Sequence, residues 1–325
     1  MATVNTATTN FDRTVTALVL ATIRENLRNR LVWMQDGAYI PGHLIPGTNL
    51  IRHIAYGDMS VVAGTPTPGT PPWLNEGVPP TEEALTIYYD EYGVNQAGRL
   101  IAITDVAMAE SPHALASVAA ERAAFNALAT IDLAIAGVVG ASTAVRYVTG
   151  AAARINITAA MKLTGDEVRR TVSAMKVANI PTFPDGNYRA MIHPNATYDL
   201  QSDTAVGGWL EASKYAAPDQ LLSGEIGRYF GVRFIESNLG TVFLDAGATS
   251  ADVYNTTFYG PEYFAFGDLQ SVTAYMQSPG GDHADPLAQK AQVGWKAMWG
   301  AKVLTATGTG PRLLRLEHGG TIVIP

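Results

Sequence analysis

The sequence predicts a mixed α+β subunit with an N-terminal arm, a projecting two-stranded ribbon, one long helix and a compact lobe. Three observations carry this. An alanine-rich stretch from Ser111 to Val139 holds apolar residues at helical spacing. A proline-rich segment, Ala63–Thr81, separates two runs of alternating polarity. Strand and helix patterns then alternate between residues 158 and 255.

Taken in order, residues 1–48 read as an arm. Asp12 caps a helix carrying Val15, Leu20, Ile23, Leu27 and Leu31 on one face and Arg24, Arg28 and Arg30 on the other. Over residues 1–55 five arginines stand against three acids, Asp12, Glu25 and Asp36, in a chain of net charge −7. The basic face with Arg24 and Arg28 therefore meets solvent, a neighbouring subunit or enclosed nucleic acid.

Residues 49–104 read as a long hairpin loop. Leu50, Arg52, Ile54 and Tyr56 alternate with Ile51, His53 and Ala55, and Leu85, Ile87 and Tyr89 alternate with Thr86, Tyr88 and Asp90. Ile101 and Ile103 continue the second arm, and Gly93 and Gly98 mark a bend in it. Between the arms, Ala63–Thr81 holds six of the eighteen prolines, so no packed element forms there. An isolated two-stranded ribbon is marginal in water. Trp73, Leu74 and Glu76 at the tip, with Tyr88, Tyr89 and Tyr92 on the arm, are thus candidate contacts to a second chain.

Residues 105–157 hold the long helix. Ser111-Pro112 reads as its N-cap and first residue, and Leu115, Val118, Phe125, Leu128, Ile131 or Asp132, and Ile135 as its buried stripe. Such a rod is about 40 Å long. Glu121, Arg122, Asn126 and Asp132 interrupt the apolar run, so a membrane span is not expected. The alanines give a small-residue surface along which other backbones can lie close. Val145–Ile157 reads as a link or strand pair.

In the lobe, residues 158–255, Thr164-Gly165-Asp166-Glu167 has the pattern of a capping box opening a helix with Val168, Val172 and Met175 inward. Pro181 and Pro184 end it. A strand Tyr188–Ile192 follows, then a helix starting at Pro194. Leu221, Leu222, Ile226 and Tyr229 suggest a third helix closed by Gly231, before a strand Val232–Ile235. Residues 256–325 return to β structure in the peripheral part. From Gln289 to Val303, Val293, Trp295, Trp299 and Val303 share one face, and Lys290, Gln292, Lys296 and Lys302 the other. Lys290 and Lys296 are candidate intersubunit contacts.

Composition narrows the function. The chain has 325 residues, 47% hydrophobic but only 16% charged, below the roughly one quarter usual for soluble domains. Surface poor in charge suits burial against partners. A net charge of −7 argues against binding nucleic acid by phosphate neutralisation, although an acidic shell can enclose it. With no cysteine, disulfides, thiolate catalysis and Cys-based metal sites are excluded. Met1–Asn10 lacks the pattern of a secretory signal, so a cytosolic origin is expected. There is no Gly-x-Ser-x-Gly elbow, P-loop, Gly-x-Gly-x-x-Gly fingerprint or His-Glu-x-x-His. Asp282, His283 and Asp285 lie close in one loop, but Asp285 before Pro286 suits a turn or cap. No catalytic residue, cofactor or metal site is assigned.

Several stretches together resemble a known family. They are Glu76-Gly77-Val78-Pro79-Pro80; His193-Pro194 through Tyr198-Asp199-Leu200; and Gly224-Glu225-Ile226-Gly227 with Gly231-Val232-Arg233. Asp285-Pro286-Leu287-Ala288-Gln289, Gly294-Trp295-Lys296 and Ala301-Lys302-Val303-Leu304 complete the set. Spread over residues 50 to 305 and in order, they resemble the major capsid proteins of tailed bacteriophages, in the N-four-type group. The resemblance implies the Hong Kong 97 fold: arm, extended loop (49–104), peripheral domain (105–157 and 256–325) and axial domain (158–255). It also implies self-assembly through hexamers and pentamers into an icosahedral virion capsid around double-stranded DNA. Scaffolding, portal and cement proteins would be separate chains, since the arm begins too close to Met1 for a long fused scaffolding segment. No crosslinking Lys–Asn pair is identifiable. An encapsulin-like compartment shell shares the fold and stands as the alternative, with a hydrolase the reading from another class.

Overall fold

The computed structural model describes residues 32–34, 39–45, 47–56, 76–77, 79, 84–111, 115–203, 225–239, 242–280, 287–305 and 311–322. In chain order come β1 (Tyr39–Pro41), β2 (His43–Leu44), β3 (Leu50–Tyr56), β4 (Ile87–Gly93) and β5 (Asn95–Thr104). Helices α1 (Asp105–Glu110) and α2 (Leu115–Gly140) follow, then β6 (Val145–Tyr147), α3 (Gly165–Val177), β7 (Tyr188–Ile192) and α4 (Pro194–Gln201). The strands that follow are β8 (Glu225–Tyr229), β9 (Val232–Glu236), β10 (Val242–Phe243), β11 (Val253–Tyr259), β12 (Phe264–Gln277), β13 (Lys290–Val303) and β14 (Leu313–His318).

The described strands form three sheets. The ribbon sheet has the order β2-β3-β4, the sheet beside the long helix β1-β12-β13-β5, and the largest sheet β6-β14-β11-β7-β9-β8 with β10 added to β11. Helix α2 ties the last two together. Its first half buries Ala119, Ala120, Ala123, Ala124 and Ala127 against Val293, Trp295 and Ala297 of β13. Alanine leaves only a methyl between backbones, so the helix lies close on the strands, and Trp295 Nε1 donates to Asn126 Oδ1 at 3.1 Å. Its second half, Ile131, Ile135, Ala136 and Val139, enters a different core with Trp33, Phe183, Met191, Tyr263, Phe264 and Leu313. The lobe closes a third core in which Val168, Val172 and Met175 of α3 meet Tyr188, Ile192, Phe234 and Phe258.

Several expectations are corrected. Thr104 caps the start of α1 and Ser111 C-caps it, its N–H donating to Ala107 O; Pro112, where the long helix is expected to begin, lies outside the described residues. Helix α2 ends at Gly140. Val118 and Phe125 face outward, because the alanines win the strand-facing side where larger side chains would hold helix and sheet apart. The capping box does not close. Gly165 N–H donates to Asp203 Oδ2 at 2.8 Å, and the Glu167 carboxylate accepts from Thr149 N–H at 3.2 Å instead of turning back to Thr164. No Cβ could stand at Gly165 against the Tyr229 ring.

The expected third helix is a strand where it is described. Glu225–Tyr229 pairs antiparallel with Val232–Glu236 across a two-residue turn at Phe230 and Gly231, both of positive φ. That is the turn geometry matching strand twist. Leu221 and Leu222 lie outside the described residues. Val145–Ile157 is not a strand pair but one strand, β6, parallel to β14, followed by a single 3-10 turn. Residues 95–104 leave the ribbon altogether, since β5 pairs along its whole length with β13. By length and composition α2 could cross a membrane, but half of its most apolar window is buried inside the fold.

Candidate assembly surface

The ribbon's geometry follows from its register. Strands β3 and β4 pair Leu50 with Gly93 through Tyr56 with Ile87, so Ile54 stands opposite Tyr89 and Tyr56 opposite Ile87 on one face. All four are open to solvent: Ile54 50%, Tyr56 63%, Ile87 57% and Tyr89 62% exposed, with Leu85 at 61% just beyond. Among the described residues no core includes any part of this apolar patch. Strand β4 is also a sheet edge, with no further described strand beside it.

The root of the ribbon is built differently. Ile51 and Tyr92 pack with Val94, Ala265 and Leu304 in a small core of their own, and burial pushes the Tyr92 phenol up to about 12. Glycine makes the approach possible: a Cβ on Gly267 would collide with Ile51, and one on Gly300 would lie 2.5 Å from Gly93 O. Asp90 adds a polar clasp. Its carboxylate accepts from Lys302 Nζ at 2.8 Å, Thr305 N–H at 2.9 Å and Thr305 Oγ1 at 3.1 Å. Arg52 pairs with Glu91 in the open and lies over the Tyr89 ring, 5.4 Å from its centroid.

The candidate contact residues therefore separate. Tyr88 and Tyr89 are exposed on the ribbon as expected. Tyr92 is not, being a buried anchor of the ribbon's own root. Glu76 is exposed at a described turn beside Gly77, whose φ is +79°. Arg24, Arg28, Trp73 and Leu74 lie outside the described residues, as does the Asp282–Asp285 loop. Lys290 and Lys296 stand on β13, Lys290 exposed at its start and Lys296 partly exposed on the face turned from α2. Lys296 shares a cavity of about 470 Å³ with Gly98, Leu100, Tyr275 and Gly294. The β4–β13 clasp brings Lys302 to the ribbon root and leaves Lys296 farther along the strand.

Sequence reasoning missed Asp90 and did not single out Ile54, Tyr56 or Ile87. The alternation was visible, but which residue stands opposite which required the register. Among the described residues no group of three or more His, Asp and Glu could hold a metal ion. His193 serves locally, its Nδ1 accepting from Asn195 N–H at 3.2 Å at the start of α4.

The ribbon, the long helix laid on a four-stranded sheet and the α+β lobe together make up the described fold. The fold is the Hong Kong 97 type found in tailed-phage capsids. The chain is similar to the capsid of Ralstonia phage GP4, with a TM-score of 0.66 and 14% identity over 86% of each chain. It is similar also to the cyanophage Pam1 capsid subunit, with a TM-score of 0.65 and 17% identity over 88% of this chain and 90% of that one. The cyanophage P-SCSP1u capsid gives 0.60 and 16% over 88% and 87%. No family model matches the sequence, and no curated protein does. The likeness stands at the level of the fold and does not single out the N-four-type group.

Proposed function

We propose that this chain is the major capsid protein of a tailed double-stranded DNA bacteriophage, a structural rather than catalytic protein that assembles with itself into an icosahedral shell. The observation that carries the proposal is the ribbon face of Ile54, Tyr56, Ile87 and Tyr89, exposed on a subunit whose fold is otherwise found in phage capsids. Burying such a face on a second copy removes apolar surface from water at roughly 25 cal/mol per Å². Shell contacts made by several such elements reach the thousands of Å² of obligate interfaces. The lobe of residues 158–255 would meet its copies at the centres of hexamers and pentamers, with arm and ribbon reaching the neighbours. Scaffolding, portal and cement proteins would act as separate partners, and the acidic chain would enclose DNA without reading its sequence.

The test is expression of the full chain, size-exclusion chromatography and negative-stain electron microscopy. Closed shells are expected from the unaltered chain, and soluble folded subunits without shells on deletion of residues 64–80. Normal particles from the deletion would overturn the role given to the ribbon. Mass spectrometry of purified particles separates a genome shell from a compartment filled with protein cargo.

A further inference from the structure

The base of the arm meets the long helix at one polar point. Val32, Trp33 and Met34 pack into the core formed by Ile131, Ile135 and Ala136, and Trp33 is only 2% exposed. There Trp33 N–H donates to Asp132 Oδ1 at 3.1 Å. Asp132 is itself only 1% exposed, and its second oxygen, Oδ2, has no hydrogen-bond partner among the described residues. A buried carboxylate with one oxygen left without a hydrogen bond is costly when ionised.

Arg189, over the Phe183 ring in the same core, acts on Tyr259 and does not offset the Asp132 charge. Tyr263 feels the Asp132 charge and packs beside Tyr259; both hydroxyls are buried and without a hydrogen bond among the described residues. Glu236, at the end of β9, lines the same cavity of about 320 Å³ as Val32 and Asp132, together with Ser237 and Asn238. A second acid across the cavity can only oppose ionisation of the first. The cavity also gives water a short route to Asp132 once Val32 and Trp33 lift.

We propose that Asp132 is a proton-operated latch for the base of the arm: protonated, it holds Val32–Met34 against the long helix; ionised, it favours their release into water. The inference concerns contacts within one chain and is independent of the shell reading. Burial raises the Asp132 carboxyl from its ordinary 3.8 to about 6, outweighing the backbone hydrogen bonds from Trp33 and Val32 that lower it. The sign follows. A carboxyl raised in the closed state favours closure fully below the open-state value and loses that contribution as pH rises through the closed-state value. The latch is therefore tight in acid and loosens over the window from 3.8 to about 6.

Hydrogen exchange of the full-length chain, read on the Val32–Met34 amides and corrected for intrinsic rates, tests this. The opening equilibrium should rise roughly 30-fold between about pH 4.5 and about pH 7.5, and Asp132→Asn should abolish the rise. Equal pH dependence in both proteins, or slower exchange at the higher pH, would overturn the latch. Should the variant fold poorly, carboxyl NMR titration of the unsubstituted protein decides. A midpoint near 6 supports the proposal, and one near the ordinary 3.8 sinks it.

Discussion

Asp90 on the ribbon and Lys302 on the body strand form an ion pair of 2.8 Å, and the acid also accepts two hydrogen bonds from Thr305. The pair joins residues far apart in sequence at the place where the ribbon leaves the body. Because Asp90 is buried while Lys302 remains partly in water, the acid carries most of the desolvation cost and depends on these partners.

Asp90→Ala should therefore destabilise the subunit by about 2 kcal/mol, since it strips Thr305 N–H of its acceptor and leaves Lys302 only the Glu91 carbonyl at 3.4 Å. Asp90→Asn, which keeps an acceptor, should cost less. Denaturant unfolding of the free subunit measures both, and a loss in Asp90→Ala no larger than in Asp90→Asn would contradict the clasp.

On the distal ribbon the expectation reverses. Ile54→Ser with Tyr89→Ser should change subunit stability by no more than about 0.5 kcal/mol, because both side chains are already in water. The same pair should sharply reduce particle yield by sedimentation. Loss of folding together with assembly would show that the face rests on its own chain after all.

Gly300→Ala should destabilise by about 1–3 kcal/mol, since its Cβ would lie 2.5 Å from Gly93 O and 3.1 Å from the Tyr92 ring. Backbone cannot step aside as a flexible side chain does. Gly137→Ala, with nothing near its Cβ and in a helix interior, should instead gain up to about 1 kcal/mol. Thermal melts of the two variants should thus move in opposite directions.

His318 gives a pH dependence of its own. It is fully buried between Thr256 Oγ1 at 2.9 Å and Gly319 O at 2.7 Å, and burial lowers it from 6.5 to about 4. A lowered histidine means the unfolded chain takes up the proton first. Its contribution is complete above 6.5 and is lost as pH falls towards 4, on the order of 3 kcal/mol. Asp132 works in the opposite sense over much of the same window. His318→Gln should flatten the acid-side loss of stability, whereas Asp132→Asn should steepen it, as followed by unfolding between about pH 4 and about pH 7.

Where the sequence could be read, the reason was periodicity. Alternation along Val293–Val303 placed Trp295 and Val303 inward, and helical spacing placed Val168, Val172 and Met175 in the lobe core. It failed where two partners compete for one residue type. Thr164 and Glu167 match a capping box, yet Thr149 and Asp203 take their places through contacts distant in sequence. Val118 and Phe125 look like core residues until the strands choose the alanine face. Tyr92 looks like its exposed neighbours Tyr88 and Tyr89, and the space left by Gly42 and Gly300 in the fold separates them.

By itself the sequence determined that the chain is α+β, that a long alanine-rich helix lies at its centre, and that a proline-interrupted ribbon projects from it. Local spacing and backbone restriction suffice for that. Only the tertiary structure decided that β5 belongs to the body, that Glu225–Tyr229 is a strand, and which ribbon face stays uncovered. Those outcomes depend on which strands pair and in what register, and pairing energy belongs to two distant segments rather than to either one.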